Sequence, residues 1–216
     1  MFFPASRTAR TLQRTYRRLA PLYDPLVPLV SSRARSLGRS WLGVRDGEHV
    51  LDAGTGTGLA LHPLAAATPT GWTEGVDLSH PMLRRAHQRM RDSPHTRYRL
   101  RHADVTALPH PDDTFDAIFC SYVVDVLSAD QAQSALREMR RVLRPSGRLV
   151  LVYLTAPQRP SERLWTTLAR AVPPLAGGAR PVALQRPLRE CGFEIDAQTT
   201  RTQAGLRSAV TRAIPL

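Results

Sequence analysis

The residues best suited to chemistry form a short glycine-rich turn, "DAGTGTG", from Asp52 to Gly58. The turn follows an apolar run typical of a buried strand and precedes a stretch with the apolar spacing of a helix. Gly54 allows backbone conformations that side chains forbid, and Gly56 leaves no side chain between the main chain and a ligand. Gly58 lets the next helix begin close to the strand, where its free amide groups can face the ligand. This pattern predicts a ligand site with close backbone approach.

The glycine spacing excludes two common nucleotide-binding turns. The dinucleotide fingerprint G-x-G-x-x-G, counted from Gly54 or Gly56, needs its third glycine at position 59 or 61, and both positions are leucine. A phosphate-binding P-loop needs a following Gly-Lys-Ser/Thr, and the chain contains no lysine. The motif that remains is an acidic residue followed by G-x-G-x-G, whose glycine spacing does not match that of pyrophosphate-binding turns.

Two more aspartates end the next two predicted strands, Asp77 in "EGVDLS" and Asp104 in "RHADV". In an open parallel sheet, ligands bind beyond the carboxyl ends of the strands. There Asp77 can accept hydrogen bonds from ribose hydroxyls, and Asp104 can accept one from an exocyclic amine such as that of adenine. Because carboxylates repel phosphates, three acidic strand ends favour an adenosine-type ligand without a polyphosphate.

The elements that must position these residues follow an alternating pattern between residues 50 and 154. Short apolar runs alternate with amphipathic stretches, which is typical of a parallel sheet flanked by helices. The clearest helices are predicted over residues 128–143 and from Ser79 onward. The sequences "CGFEIDAQTTRTQ" and "LRSAVTRAI" predict a closing antiparallel pair. We expect an α/β fold, a Rossmann-like, seven-stranded, mostly parallel sheet with helices on both faces.

The length of 216 residues fits a single domain. Within it, residues 1–45 are expected to form an N-terminal helical cap and residues 46–154 the ligand-binding core. Residues 155–187, rich in proline around a predicted helix at 161–172, are expected to form a lid insertion after the fifth strand. Residues 188–216 supply the C-terminal strands.

The composition restricts the partners and the compartment. The net charge is +12, with arginine as the basic residue throughout, which permits a face that attracts anionic surfaces. Cys120 and Cys191 lack the spacing of a zinc site or a disulfide framework, so no metal is expected. The sequence has neither an apolar run of the roughly 20 residues that a membrane helix needs nor a signal peptide. We therefore expect a cytoplasmic protein, with peripheral contact at an anionic inner membrane face as an alternative.

Several motifs, in order along residues 14–155, resemble those of class I S-adenosylmethionine-dependent methyltransferases. The resemblance is strongest to the subgroup that includes quinone-biosynthesis C-methyltransferases and phospholipid N-methyltransferases. The matching motifs are "YRRLAPLYDPL", "VLDAGTGTG", "GVDLSHPMLRRA", "ADVTALPHPDDTFDAIFCSYVVDVL" and "LREMRRVLRPSGRLVLV". The resemblance implies S-adenosylmethionine as the cofactor.

The same resemblance implies a cofactor role for particular residues. In the turn these are Asp52, Gly54, Thr55, Gly56 and Gly58, with Asp52 near the methionine part. Asp77 would bind the ribose, and the residues around the adenine would be Leu78, Met82, Asp104 and Val105. Ser121 and Tyr122 would lie near the sulfonium and the methyl group, and Tyr16 and Tyr23 would cover the cofactor.

The methyl acceptor stays open, as a quinone precursor, a lipid or another small molecule. A carbon acceptor needs a general base, for which the candidates are Tyr122, Asp125 and Tyr153 at or just after strand ends. The quinone enzymes of the family carry an Arg-Asn type pair after the fourth strand, where this chain has the more apolar "SYVVDVL". That departure argues against a quinone precursor.

Two alternatives to a methyltransferase of a small or lipophilic acceptor have a basis in the sequence, whereas a nucleic-acid methyltransferase does not. "YRRLAPLYDPL" and the basic N-terminal face are similar to phospholipid N-methyltransferases that act at anionic membrane surfaces. A protein that binds S-adenosylmethionine without transferring its methyl group would share the same turn. A nucleic-acid partner is not expected, because the chain lacks the Asn/Asp-Pro-Pro-aromatic motif of base-amine methylases and any aromatic-basic RNA module.

Overall fold

A computed structural model describes residues 31–91, 97–160, 162 and 179–216. The strands are β1 (His49–Ala53), β2 (Trp72–Asp77), β3 (Tyr98–His102), β4 (Phe115–Ser121), β5 (Leu143–Leu154), β6 (Phe193–Gln203) and β7 (Leu206–Pro215). The helices are α1, described over residues 31–42, α2 (Leu61–Ala67), α3 (His80–Arg91), α4 (Ala129–Val142) and α5 (Gln185–Glu190).

One seven-stranded sheet organises the described residues, with the strand order β3-β2-β1-β4-β5-β7-β6. Strands β1 to β5 pair in parallel, whereas β7 pairs antiparallel with both β5 and β6. The chain runs outward from β1 on one side and returns to β4 on the other. Such a reversal opens a crevice at the carboxyl ends of β1 and β4. The predicted Rossmann-like sheet and its antiparallel closing pair are confirmed.

Alternating side chains divide the core between the two faces of the sheet. Val50 and Phe119 face a cluster that contains residues of α1 and α2, while Leu51 and Ile118 face a cluster that contains residues of α4 and α5. This alternation is the period of two that a strand imposes. Described helices therefore cover both faces, as the sequence predicts.

The bounds and the buried face of helix α4 follow from its local sequence. Ser128 accepts a hydrogen bond from the Gln131 amide, and the Gln131 side chain accepts one from the Ser128 amide, which forms a capping box. Its buried residues are Ala132, Ala135, Leu136, Met139 and Val142. The predicted range of 128–143 is nearly reproduced, but Leu143 already pairs with Phe115 as the first residue of β5. Residues 144–147 then form a bulge before the regular pairing resumes.

Helix α1 approaches the sheet closely at Gly38. A Cβ atom at this position would lie 2.7 Å from Val152 Cγ2 and 3.0 Å from Phe119 Cε2, so a larger residue would push the helix away. On the same face as Gly38, one turn earlier, lies Arg35. The close approach thus brings a basic side chain towards the carboxyl ends of the strands.

Several expectations concern residues outside the described part of the chain. These are residues 1–30 of the cap, with Tyr16 and Tyr23, and the predicted helix at 161–172 apart from Glu162. The division into cap, core and lid stays a prediction. Among the described helices, none combines the length and apolar character needed to cross a bilayer.

Candidate functional site

The turn after β1 is fastened to the neighbouring strand by two amides. Gly54 N and Thr55 N both donate to the Val76 carbonyl, at 2.9 and 2.8 Å. Gly54 has a φ of +75°, and a Cβ atom there would lie 2.2 Å from Val123 Cγ2. Glycine is therefore required for both the backbone conformation and the close approach of the segment after β4.

Gly56, two residues further on, faces open space. Its φ is +57°, and a Cβ atom at this position would meet no protein atom within 4 Å. Its amide donates to Asp77 Oδ2 at 2.8 Å. The turn thus leaves space for a ligand at Gly56, and the Gly56 amide holds the Asp77 carboxylate next to that space.

Asp77 is held from both sides before any ligand binds. While Oδ2 accepts from Gly56, Oδ1 accepts a hydrogen bond from the Ser79 amide at 2.8 Å. Burial raises the pKa of Asp77, and the two amides and nearby His102 oppose that rise. Each carboxylate oxygen has a further lone pair. The side chain is therefore fixed in position and can still accept hydrogen bonds from ligand hydroxyls.

Asp104, after β3, is held on one side only. Asp104 Oδ1 accepts hydrogen bonds from the Thr106 amide at 2.9 Å and the Thr106 hydroxyl at 2.8 Å. The other oxygen, Oδ2, accepts none from any residue in the described part of the chain. It can accept a hydrogen bond from an amine donor at the rim of the cleft.

These groups line one pocket at the carboxyl ends of the parallel strands. The predicted site residues that line it are Gly54, Gly56, Asp77, Leu78, Met82, Asp104, Val105, Ser121 and Tyr122. The structure therefore brings residues from four strand ends into one cavity.

Three predicted site residues that the structure describes lie behind the lining. Asp52 is 1% exposed and accepts a hydrogen bond from Thr55 Oγ1 at 2.6 Å. Burial raises the pKa of Asp52 to about 6, while Thr55 and Arg35 oppose the shift. Gly58 lies against α3, where a Cβ atom would be 3.2 Å from Ala86 Cβ. Asp52, Thr55 and Gly58 thus support the turn behind the pocket lining, and their role in cofactor binding stays a prediction.

The three candidate general bases differ in whether they line the pocket. Tyr122 is one of the lining residues of the pocket, and its hydroxyl lies 2.9 Å from Ser208 Oγ. Asp125 is fully buried, and its Oδ2 accepts from the Leu154 amide at 3.0 Å. Tyr153 is 1% exposed in the core, 3.1 Å from Thr211 Oγ1. Neither Asp125 nor Tyr153 lines the pocket.

Other lining residues are absent from the sequence-based set. They are Ser79, Ala103, Val123, Val126 and Leu127. Ser79 and Ala103 adjoin predicted residues, so the strand-end rule could have found them. Val123, Val126 and Leu127 lie in "SYVVDVL", where apolar residues give no signal that separates a pocket wall from core.

The strand order and the glycine turn define a Rossmann-like cofactor-binding fold. A family model described as a methyltransferase domain matches residues 50–147. The ubiquinone/menaquinone biosynthesis C-methyltransferase UbiE of Syntrophotalea carbinolica is 33% identical over 180 residues, which cover 80% of this chain and 73% of the relative. The phosphatidylethanolamine N-methyltransferase of Cereibacter sphaeroides is 31% identical over 197 residues, which cover 90% of this chain and 93% of the relative.

Solved structures support the same fold. The [4+2]-cyclase SpnF superposes with a TM-score of 0.79 at 20% identity, over 99% of this chain and 98% of that structure. That neighbour is named for a cyclisation, so the fold alone does not specify the reaction. The sequence relatives indicate methyl transfer, and this chain belongs to the class I S-adenosylmethionine-dependent methyltransferases. It is a methyltransferase with S-adenosylmethionine as its cofactor, and the resemblance seen in the sequence is confirmed.

Proposed function

We propose that this enzyme methylates the amine of a lipophilic acceptor, with an ethanolamine-type phospholipid head group as the best-supported substrate. The observation that carries this proposal is the wall of the pocket after β4. It consists of Val123, Val126 and Leu127 beside Ser121 and Tyr122. Among the described lining residues on that side, none has a carboxylate or an imidazole.

The residues on the opposite side fit the cofactor by their chemistry. The open space at Gly56 suits a ligand that approaches the backbone, and the Asp77 carboxylate suits a pair of ribose hydroxyls. Asp104 Oδ2 suits the adenine amine, with Leu78 and Met82 as apolar neighbours of the ring. When bound there, the cofactor supplies an activated methyl group.

The described residues that line the acceptor side include no carboxylate or imidazole base, which favours nitrogen over carbon. A phenolic ring must lose a proton before its carbon becomes a nucleophile, and this requires a nearby base. Asp125 and Tyr153 lie behind the lining, and the Tyr122 hydroxyl is engaged with Ser208. An amine that has lost its proton to water needs only to be positioned and shielded from solvent. The apolar wall suits both tasks.

The relatives support two acceptors. The named phosphatidylethanolamine N-methyltransferase matches along almost its whole length, which supports the head-group amine. The UbiE relative is slightly more identical, at 33%, and supports a quinone precursor as the second candidate. Against the second candidate stands "SYVVDVL", which lacks the Arg-Asn pair of the quinone enzymes and supplies no base to the described lining.

A methyl-transfer assay separates these candidates. Radiolabelled S-adenosylmethionine is incubated with the enzyme and with vesicles of phosphatidylethanolamine, with or without phosphatidylglycerol, and in parallel with a demethylated quinone in neutral micelles. We expect labelled N-methylated lipid, in larger yield on anionic vesicles at low salt because the protein carries +12. Label in the quinone alone would refute the proposal.

The same assay tests the alternative of a non-catalytic binding protein. Such a protein would bind S-adenosylhomocysteine in a calorimetric titration yet transfer no label to lipid, quinone or small-amine extracts. Vesicle binding that is absent or independent of salt would argue against action at an anionic membrane surface.

A further inference from the structure

Arginines at the amino ends of the parallel strands are paired with carboxylates. Arg148 forms an ion pair with Glu48 at 2.7 Å, and Arg144 forms one with Asp116. These side chains lie at or next to the first residues of β1, β4 and β5. The positive charge at this end of the sheet is therefore compensated within the protein.

The carboxyl end of the sheet, beside β5, β6 and β7, carries arginines without a carboxylate partner. We call this group the basic rim, and its members are Arg33, Arg159, Arg201 and Arg207. The first three are exposed and the last is half-buried. None of the four forms an ion pair with a carboxylate in the described part of the chain. Where their guanidinium groups donate hydrogen bonds, the acceptors are neutral oxygens, such as the carbonyls of Thr200 and Ala156.

Glu162 contributes one carboxylate to the surroundings of the basic rim. Its Oε2 accepts hydrogen bonds from the amides of Gln158 and Arg159, at 2.8 and 3.1 Å, and its Oε1 accepts one from Thr202 Oγ1 at 2.9 Å. The Gln158 amide, and to a smaller extent the charge of Arg207, lower the pKa of Glu162. One carboxylate, already bound to the backbone, does not neutralise four arginines, so the basic rim keeps a positive charge.

The basic rim lies at the same end of the sheet as the opening of the pocket. Ser208 of β7 pairs with Leu154, the last residue of β5, so the hairpin residues 202–207 extend beyond the end of β5. Gln203 Oε1 accepts a hydrogen bond from the Arg33 amide at 2.9 Å, which joins the hairpin to α1. Since β5 is the neighbour of β4 in the sheet, the basic rim stands beside the apolar wall of the pocket.

The arrangement of the basic rim suits a surface that carries many phosphates. Guanidinium groups bind phosphate through paired, charge-assisted hydrogen bonds. The four arginines come from α1, the chain after β5, β6 and β7, and none of them is among the lining residues of the pocket, so they do not enclose one small anion. The described residues around them, 31–35, 155–160, 179–182 and 201–207, include no aromatic side chain on which a nucleic acid base could stack.

We propose that the basic rim docks on the phosphate groups of an anionic lipid bilayer and turns the opening of the pocket towards that surface. The inference rests on the proposed function, in which the acceptor is a lipid head group. The net charge of +12 attracts the protein to such a bilayer in any orientation, whereas the basic rim selects one. In that orientation the lipid amine reaches the pocket beside the wall of Val123, Val126 and Leu127.

Flotation with vesicles tests the docking surface. The vesicles contain equal amounts of phosphatidylethanolamine and phosphatidylglycerol at low salt, and the variant combines Arg33→Gln with Arg201→Gln. We expect its affinity for the vesicles to fall about 10- to 30-fold, because both removed charges face the phosphates. Added salt should weaken binding of the unmodified protein more than binding of the variant, since the variant has fewer charges to screen.

The combination of Arg91→Gln with Arg137→Gln is the matched control. Both arginines are exposed, on α3 and α4, and their removal changes the net charge by the same amount. The control should bind vesicles within about twofold of the unmodified protein, because charges beyond a Debye length are screened. Equal losses in the two double variants would overturn the proposal. So would weaker binding of a DNA duplex by the variant of the basic rim with unchanged vesicle binding, which would assign the basic rim to nucleic acid.

A fluorescent label tests the orientation without the removal of an arginine. Ala204, at the tip of the β6–β7 hairpin, is exposed, and Cys120 and Cys191 are buried, so Ala204→Cys can be labelled selectively. Energy transfer to a lipid labelled on its head group should be stronger from this position than from Gln88→Cys, which is exposed on α3. Equal transfer from the two positions would contradict a fixed orientation.

Failure of the proposed function would give a different result. Methyl transfer to phosphatidylethanolamine in neutral detergent micelles requires no anionic surface. The Arg33→Gln and Arg201→Gln variant should therefore match the unmodified protein in micelles and lose activity on anionic vesicles. An equal loss in micelles would overturn the docking. Absence of transfer by the unmodified protein in micelles would refute the lipid acceptor, whereas flotation and energy transfer would still decide the docking.

Discussion

The two sides of the pocket are built on different physical principles. On the side of β1, β2 and β3, polar groups are held by hydrogen bonds before a ligand arrives, as in the contacts of Gly56 and Ser79 with Asp77. On the side of β4, the wall is made of Val123, Val126 and Leu127. The first side suits a ligand with hydroxyl and amine donors, and the second suits an apolar surface.

This difference predicts that the two sides of the pocket tolerate substitution unequally. A hydrogen-bonded site tolerates few substitutions, because each buried polar group left without a partner costs about 1–3 kcal/mol. An apolar wall accepts exchanges among hydrophobic residues at a cost of usually less than about 1.5 kcal/mol. We call the side of β1, β2 and β3, which we propose binds the methyl donor, the donor side, and the side of β4 the acceptor side. We therefore expect the largest effects of substitution on the donor side and the smallest on the acceptor side.

Asp77→Asn should have the largest effect on cofactor affinity. The amide has one acceptor oxygen and would turn its NH₂ group towards either Gly56 N or Ser79 N, where a donor would face a donor. Two hydrogen bonds to a charged acceptor are each worth about 1.5–3 kcal/mol, so the dissociation constant for S-adenosylhomocysteine should rise by about 100-fold or more. Isothermal titration measures the change.

Asp104→Asn is the matched control for this change. Oδ1 already accepts from Thr106, and the amide can keep that contact while losing one acceptor towards the ligand. The loss should be about tenfold or smaller. A larger loss for Asp104→Asn than for Asp77→Asn would contradict the idea that hydrogen bonds within the turn dominate the donor side.

Gly56→Ala and Gly54→Ala should separate binding from folding. Both have positive φ, which costs a side-chain-bearing residue about 1–2 kcal/mol. A methyl group at Gly56 would enter open space, so we expect a folded protein with about 10- to 100-fold weaker cofactor binding. At Gly54 it would meet Val123 at 2.2 Å, so the main loss there should be in thermal stability. Thermal unfolding and titration of both variants test this, and equal stability losses would contradict it.

The sequence predicts the donor side well, because its requirements fall on particular residue types. Glycines in a strand-to-helix turn and aspartates at Asp77 and Asp104 are needed for backbone shape and hydrogen bonding, and the strand order brings them together. The sheet is equally predictable, since its apolar runs and the capping residue Ser128 are local signals. Even the antiparallel closure by β6 and β7 follows from two adjacent alternating segments.

The acceptor side is less predictable, because its residues look like core. Val126 and Leu127 have the composition of any buried segment, and only the tertiary structure distinguishes pocket wall from interior. The burial of Arg35 is not predictable either. It is one arginine among many in a basic N-terminal region, and only the structure shows that it is 6% exposed on a helix that lies close to the sheet at Gly38. Asp125, a candidate base by its position in the sequence, lies behind the wall because its side chain turns towards Leu154.

Asp125→Asn should change the pH dependence of stability. Burial raises the pKa of Asp125 to about 7, so the folded state holds a proton that the unfolded chain releases near pH 4. The unmodified protein should therefore lose stability as the pH rises from about 4 to 7, by up to about 1.4 kcal/mol per pH unit from this group. Asparagine cannot titrate, and it keeps an oxygen for the Leu154 amide.

Urea unfolding at several pH values measures this slope. Asp52, with a pKa of about 6, should contribute a slope of the same sign that persists in the variant. An unchanged pH dependence in Asp125→Asn would show that the carboxyl titrates normally, and would place it in contact with solvent or the acceptor.

Val126→Thr should have the smallest effect, and it tests the acceptor side alone. The substitution keeps the shape and places a hydroxyl on the apolar wall, which a lipophilic acceptor cannot match with a hydrogen bond. We expect kcat/KM for the acceptor to fall about three- to tenfold, with the affinity for S-adenosylhomocysteine within about twofold. Val44→Thr is the control, because Val44 packs against the core cluster that contains residues of α1 and α2 and is not part of the pocket lining; it should leave both quantities unchanged. A loss of cofactor affinity in Val126→Thr would mean that the wall after β4 contacts the donor, and the two sides of the pocket would then form one site.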